Sequence, residues 1–184
     1  MDCYRQTTTK DGRPLILRSA SGADAEEYLL YYNTAHGETD FLTTYPDESR
    51  HSVQSMAERL EKARFSDREL ELCAFVNGKL VGSAGFAPVR ERDKTRHRAE
   101  LGISILKEYR GLGIGFALMK ACLALAGEAG YLQAELEVVA ENERAVCLYK
   151  KLGFIEYGRN PRAFLTREGK WQEVLLMRRE LLEK

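Results

Sequence analysis

Three glycines in five residues, Gly111, Gly113 and Gly115, stand where a strand-like run gives way to a long apolar one, in Ile105 to Phe116 (ILKEYRGLGIGF). The chemistry such a junction offers is anion binding. The first four amides of a helix have no intrahelical partner and carry the positive end of the helix dipole, and glycine lets a backbone come close to an anion. The same glycines would also serve a plain tight turn. Spacing narrows the ligand: the dinucleotide pattern G-x-G-x-x-G fails in both registers, its third glycine falling on Phe116 or Leu118. A P-loop fails too, since Gly78-Lys79 is followed by Leu80 and Gly169-Lys170 by Trp171.

A second constellation lies in Asn142 to Phe154 (NERAVCLYKKLGF). Asn142, Ala145, Val146, Tyr149 and Leu152 fall at helical spacing, so Tyr149 and a capping Asn142 share one face. Read alone, Tyr149 is an aromatic on an apolar stripe and Cys147 an inert thiol, both explained by packing. A third lies in Glu100 to Ile105, where Leu101, Ile103 and Ile105 alternate with Glu100, Gly102 and Ser104, a strand with one small polar face.

The elements that must position these residues can be traced along the chain. Pro14 to Arg18 reads as a strand and Ala23 to Ala35 as a helix whose stripe is Leu29, Leu30 and Tyr32. Glu48 to Phe65 is a second amphipathic helix with Val53, Met56, Ala57, Leu60 and Ala63 inward. Leu72 to Val76 and Leu80 to Ala87 flank Asn77-Gly78, a strong hairpin signal. Leu112 to Ala129 is apolar or small almost throughout and must be covered on most sides. Leu132 to Val139 is a strand, Asn142 to Leu152 a helix ended by Gly153, and Phe154 to Tyr157, Ala163 to Thr166 and Trp171 to Met177 are closing strands. Strands interleaved with helices imply an α/β fold, a mixed sheet with helices packed on it.

Composition bounds the function. The chain has 184 residues, 44% apolar and 30% charged, the size of one domain with one core. Lys plus Arg and Asp plus Glu are 28 each, so no net field draws nucleic acid or an anionic membrane. The Arg90 to Arg98 run intersperses both signs and reads as a solvated turn. No apolar stretch approaches the roughly 20 residues of a membrane span, and the polar start MDCYRQTTTKDGRP has no signal-peptide core, which points to a cytoplasmic location. Cys3, Cys73, Cys122 and Cys147 lack metal-ligand spacing and read as buried free thiols, with no metal expected. His36, His51 and His97 have no recognisable partners and read as surface residues.

Taken together, the two motifs resemble those of the GNAT acetyltransferase superfamily. R-G-L-G-I-G is similar to its Q/R-x-x-G-x-G/A signature, and N-x-x-A-x-x-L-Y-x-K-x-G-F to its C-terminal motif, in the expected order from Pro14 to Leu181. The run A-E-L-G-I-S-I and the hairpin Arg162 to Met177 look closest to the branch of ribosomal-protein alanine and polyamine N-acetyltransferases.

That resemblance implies one GNAT domain over residues 1–184, with its core at about 14–181, built on a mostly antiparallel central sheet splayed at the acetyl-CoA site with helices on both faces. It implies acetyl-CoA as co-substrate and direct transfer to a small-molecule or peptide amine. Arg110, Gly111, Leu112, Gly113, Ile114 and Gly115 would wrap the pyrophosphate. Ile103, Ser104 and Ile105 would line the pantetheine arm, and the Ile105 amide would polarise the thioester carbonyl. Tyr149 matches the general acid for a thiol leaving group that titrates near 8.5. Asn142 caps its helix and is placed to touch the cofactor.

Glu100 has two readings, a base or water relay and a solvated strand-edge carboxylate. The acceptor would reach the site between His36 to Ser49 and Phe164 to Gln172. Glu38, Asp40, Asp47 and Glu48 in the first segment either suit a cationic amine or form a solvated acidic loop. Phe41, Tyr45 and Trp171 either line a pocket there or pack the loop on the sheet. A homodimer through the last strand, Val174 to Leu182, is compatible with the resemblance. Two rival functions remain: a non-catalytic acetyl-CoA-binding sensor or assembly module, and a ping-pong transferase through a cysteine.

Overall fold

A computed structural model describes residues 1–181. Eight strands form one sheet in the order β1-β2-β3-β4-β5-β6-β8-β7. They are β1 Tyr4–Thr8, β2 Pro14–Ser19, β3 Leu70–Val76, β4 Lys79–Pro88, β5 Arg98–Ile105, β6 Gln133–Val139, β7 Ile155–Leu165 and β8 Trp171–Glu180. Four helices connect them: α1 Ala25–Gly37, α2 Val53–Phe65, α3 Ile114–Glu128 and α4 Glu143–Lys151. No described helix is long and apolar enough to cross a membrane.

Every neighbouring pair is antiparallel except β5 with β6. That parallel pair is short, joining only Arg98, Ala99 and Glu100 to Gln133, Ala134 and Glu135. Beyond it the strands follow different partners. β5 stays in register with β4 to Ile105 opposite Gly82, while β6 pairs with β8 to Val139 opposite Val174. A wedge-shaped gap opens between them, so the sheet is splayed where the glycine-rich loop begins.

Successive β5 residues point to opposite faces. Ser104 meets Tyr31 of α1 on one side, and Ile103 and Ile105 meet Gly115 of α3 on the other. Helices therefore cover both faces, and one hydrophobic cluster runs from Cys3 to Met177. At the hairpin Asn77 and Gly78 have φ of 51° and 78°, the positive pair that a two-residue turn between twisted strands requires.

Three elements differ from the sequence reading. β1 carries no sequence signal because its residues, Tyr4 to Thr8, are all exposed and show no apolar alternation; pairing with β2 alone holds them in a strand. The pieces at Phe154 to Tyr157 and Ala163 to Thr166 are one strand, β7, with irregularities near Gly158 and Pro161. Proline is tolerated there because β7 is the sheet edge. In α1 the buried side is Tyr28, Tyr31 and Ala35, whereas Leu30 is 70% exposed. Four consecutive apolar or aromatic residues, Leu29 to Tyr32, cannot all face inward at 100° per residue, and the larger rings take the core. β8 is paired on both sides, so the last strand offers no free edge; Leu182 lies outside the described residues.

Candidate active site

The gap between β5 and β6 opens into a cleft of about 1830 Å³. Its walls bring together Glu100, Ile103, Ser104, Ile105, Arg110, Gly111, Gly113, Gly115, Asn142 and Tyr149, residues spread over about a quarter of the chain.

The loop after β5 enters α3 through Gly113, whose φ of 85° places it in the left-handed region at the helix N-cap. A side chain there would be strained, and its Cβ would stand 3.3 Å from Cγ of Lys10. The first helical hydrogen bond runs from Ala117 N–H to Gly113 O at 3.1 Å, which leaves the amides of Ile114, Gly115 and Phe116 as the donor set of the helix start. Gly111, with φ of 89°, has open space around it.

Not every residue of the loop contributes in the expected way. Ile114 is fully buried and the side chain of Leu112 packs on the core, so both offer the cleft only main chain. Gly115 is buried as well: a Cβ there would sit 3.1 Å from Ile105 and 3.3 Å from Leu148. Its small size lets α3 approach β5 and α4. The Arg110 guanidinium donates from Nε to Ile105 O at 2.9 Å and lies 3.7 Å from the Glu38 carboxylate. Glu38 also accepts the Lys107 amide at 2.5 Å, tying the end of α1 to the loop.

Main-chain direction in β5 follows from its partners. The Leu106 amide donates to Val81 O at 3.0 Å, toward β4, and Ser104 faces the same way, opposite Ser83. By alternation the N–H of Ile105 turns the other way, into the gap, on the side where its carbonyl meets Arg110.

Tyr149 closes the far wall. Its ring packs edge-to-face on Phe154 with centroids 5.8 Å apart and is 6% exposed, so burial pushes the phenol well above its usual range. The hydroxyl has no hydrogen-bond partner among the described residues. A group held neutral in this way donates a proton rather than accepting one. Asn142 caps α4, its Oδ1 accepting the Ala145 amide at 3.3 Å. Glu100 is exposed on the opposite wall. Its neighbour across the parallel pair, Glu135, is taken by Arg98 in a two-point ion pair.

Three of the four acidic residues of the 37–49 loop have internal partners: Glu38 as above, Asp47 with Arg167 at 2.9 Å, and Glu48 with the Tyr45 amide at 2.6 Å. Arg167 also lies over the Tyr45 ring, so this loop and the β7–β8 turn touch. Phe41 lines the cleft; Trp171 stands outside it, half exposed beneath Arg162. His36 is not a surface residue. It is buried, stacked on Tyr32 at 3.8 Å, with Nδ1 2.9 Å from the Thr44 carbonyl, and it borders the cleft. Cys147 is not buried but exposed at the cleft mouth, whereas Cys3, Cys73 and Cys122 lie in the core. Lys10, also at the cleft, arrives from the hairpin the sequence did not disclose. No cluster of three or more His, Cys, Asp or Glu among the described residues is arranged to hold a metal.

Residues 34–154 match the model of the acetyltransferase (GNAT) family. N-alpha-acetyltransferase 30 of Schizosaccharomyces pombe is 30% identical over 58% of this chain and 71% of its own length. The chain spans 40% of the length of two other curated N-acetyltransferase relatives. Among solved structures, an acetyltransferase of the GNAT family from Streptococcus pneumoniae superposes with a TM-score of 0.86 at 33% identity, covering 90% of this chain and 99% of that one. Ribosomal-protein-alanine N-acetyltransferase from Brucella melitensis gives 0.78 at 26%, covering 89% and 98%.

Proposed function

We infer from one premise, that this chain belongs to the acetyltransferase (GNAT) family, and from the geometry of its cleft, that the protein is an N-acetyltransferase. Acetyl-CoA is the co-substrate, and the acetyl group passes directly to a primary amine. The observation that carries this reading is the splay of β5 from β6, which directs the Ile105 amide into a cleft bounded by the start of α3 on one side and by Tyr149 on the other.

In this reading the amides of Ile114 to Phe116, with Gly111, Gly113 and Arg110, receive the pyrophosphate. The main chain of Ile103 and Ile105, which faces the gap, aligns the pantetheine arm, while that of Ser104 between them is turned toward β4. The Ile105 N–H holds the thioester carbonyl as negative charge develops on its oxygen. The neutral amine attacks that carbon, the C–S bond breaks, and Tyr149 gives its proton to the departing thiolate. Glu100, across the cleft, takes the proton that the amine loses, directly or through water. Asn142 sets the start of α4 and so the position of Tyr149.

The relative named as an N-alpha-acetyltransferase and the neighbour named for ribosomal-protein alanine support an α-amine acceptor; a polyamine or other small amine is the remaining class. The proposed location is the cytoplasm. The proposed assembly is a homodimer across the exposed edge strand β7, which carries Ile155 and Tyr157 outward. The non-catalytic reading is not favoured, since it leaves the unpaired Tyr149 hydroxyl without a role.

The test is thiol release from acetyl-CoA against N-terminal peptides, polyamines and amino acids, run beside Tyr149→Phe. Turnover with one acceptor class that drops in the variant supports the reading. Binding of acetyl-CoA without turnover on any acceptor would move it to the sensor.

A further inference from the structure

Tyr31 stands behind the stretch of β5 that lines the cleft. It lies in the middle of α1, buried, with its ring edge-on to Tyr28 at 5.8 Å. Its hydroxyl sits between β4 and β5, where it accepts the Ser83 amide at 2.9 Å, contacts Ser104 Oγ at 2.5 Å and meets the Ser104 carbonyl at 2.8 Å.

The protons in this cluster can be assigned. A carbonyl only accepts, so the single proton of Tyr31 goes to Ser104 O. The Ser104 hydroxyl must then be the donor in the 2.5 Å contact, and both lone pairs of the phenol oxygen are occupied. Burial raises the phenol to about 12, so it keeps this proton throughout the working range of an enzyme.

The Ser104 carbonyl and the Ile105 N–H belong to one peptide unit. A hydrogen bond accepted at the oxygen of an amide draws electron density toward it and makes its N–H a stronger donor. It also fixes the tilt of the peptide plane. The N–H at the other end points into the β5–β6 gap.

We propose that Tyr31 is a positioning residue for acetyl transfer, holding and polarising the Ser104–Ile105 peptide so that the Ile105 amide grips the thioester carbonyl. This rests on the acetyltransferase reading above. Tyr31 touches no substrate; it acts through one peptide group.

The experiment is infrared difference spectroscopy of bound acetyl-CoA carrying ¹³C at the thioester carbonyl, with steady-state kinetics, on wild type, Tyr31→Phe and Tyr28→Phe. Tyr28 shares the helix and the burial, but its hydroxyl donates to Glu71 at 2.8 Å and lies 3.4 Å from Ser83 Oγ, with no hydrogen bond to the Ser104–Ile105 peptide. In wild type the bound carbonyl band lies below that of free acetyl-CoA. In Tyr31→Phe the downshift shrinks and kcat falls by roughly tenfold, less than loss of a whole oxyanion donor, with KM for acetyl-CoA within about twofold. In Tyr28→Phe the band stays where it is in wild type. Should Tyr31→Phe fold poorly, 3-fluorotyrosine placed at position 31, a stronger donor in a nearly identical ring, moves the band further down. An unchanged band in Tyr31→Phe, or an equal change in Tyr28→Phe, overturns the proposal. Wild type that binds no acetyl-CoA would sink the acetyltransferase reading and this inference with it.

Discussion

The main-chain amide of Lys10 donates to the carbonyl of Leu112 at 2.9 Å, and the stem of the same lysine runs over Gly113. The hairpin of β1 and β2 thereby brings an ammonium group to the start of α3, where an anion would sit. Lys10→Ala is expected to raise KM for acetyl-CoA about fivefold at low salt with kcat little changed, the effect of one solvent-exposed charge. The increase should shrink as salt screens that charge. Equal KM values at low salt would take Lys10 out of the site.

Gly111 and Gly113 share a left-handed backbone but differ in surroundings, which makes them a matched pair. Alanine at either costs about 1–2 kcal/mol of conformational strain, measurable by denaturant unfolding. Only at Gly113 does the new methyl meet Lys10, at 3.3 Å. Gly113→Ala should therefore raise KM for acetyl-CoA more than Gly111→Ala at similar stability.

Tyr149→Phe removes the proposed acid while keeping the ring on Phe154. The expected loss in kcat is roughly 100-fold, with KM for acetyl-CoA close to wild type. Undiminished kcat would return Tyr149 to a packing role.

The pH profile follows from the same burial. Because the Tyr149 phenol is pushed well above its usual range, the donating form persists past pH 10, and its loss cannot limit the rate below that. The rate should climb as the acceptor loses its proton, near pH 8 for an α-amine, and then level off. A falling limb between pH 8 and 9 that vanishes in Tyr149→Phe would contradict this assignment.

Acid stability has a separate source in Asp24. Its carboxylate accepts from Arg18 at 2.5 and 2.8 Å and from the Ser21 amide and hydroxyl, which together lower it from 3.8 to about 2, the Arg18 contact contributing most. A lowered folded-state value gives stability that is present above pH 4 and lost as pH falls toward 2. Asp24→Asn is expected to cost about 1 kcal/mol at pH 7, after allowance for solvent around Arg18, and only a small fraction of that at pH 2, where the folded carboxyl is already half protonated. Urea midpoints at the two pH values check it.

Much of the site was legible as motif. Glycine spacing before an apolar run marks an anion-binding helix start, and Asn142 to Phe154 marks a capped helix with a tyrosine on the same face, because local backbone demands restrict those positions to few residue types. His36 and Cys147 were misplaced for the opposite reason: a lone histidine or cysteine carries no local signal of burial, which loops and neighbouring helices decide.

The sequence by itself determined the alternation of β5, the turn at Asn77-Gly78 and the run Arg110 to Gly115, since each is set by contacts within a few residues. Only the tertiary structure decided that β5 and β6 part after Glu100, because where two strands separate depends on which other strands claim them. The same holds for Lys10, carried to the cleft by an exposed edge strand that pairing with β2 alone holds in place. It holds most for Tyr31, one of four adjacent residues that all look able to face the core. Packing against β4 and β5 selected it, and only there does its hydroxyl meet the Ser104 carbonyl.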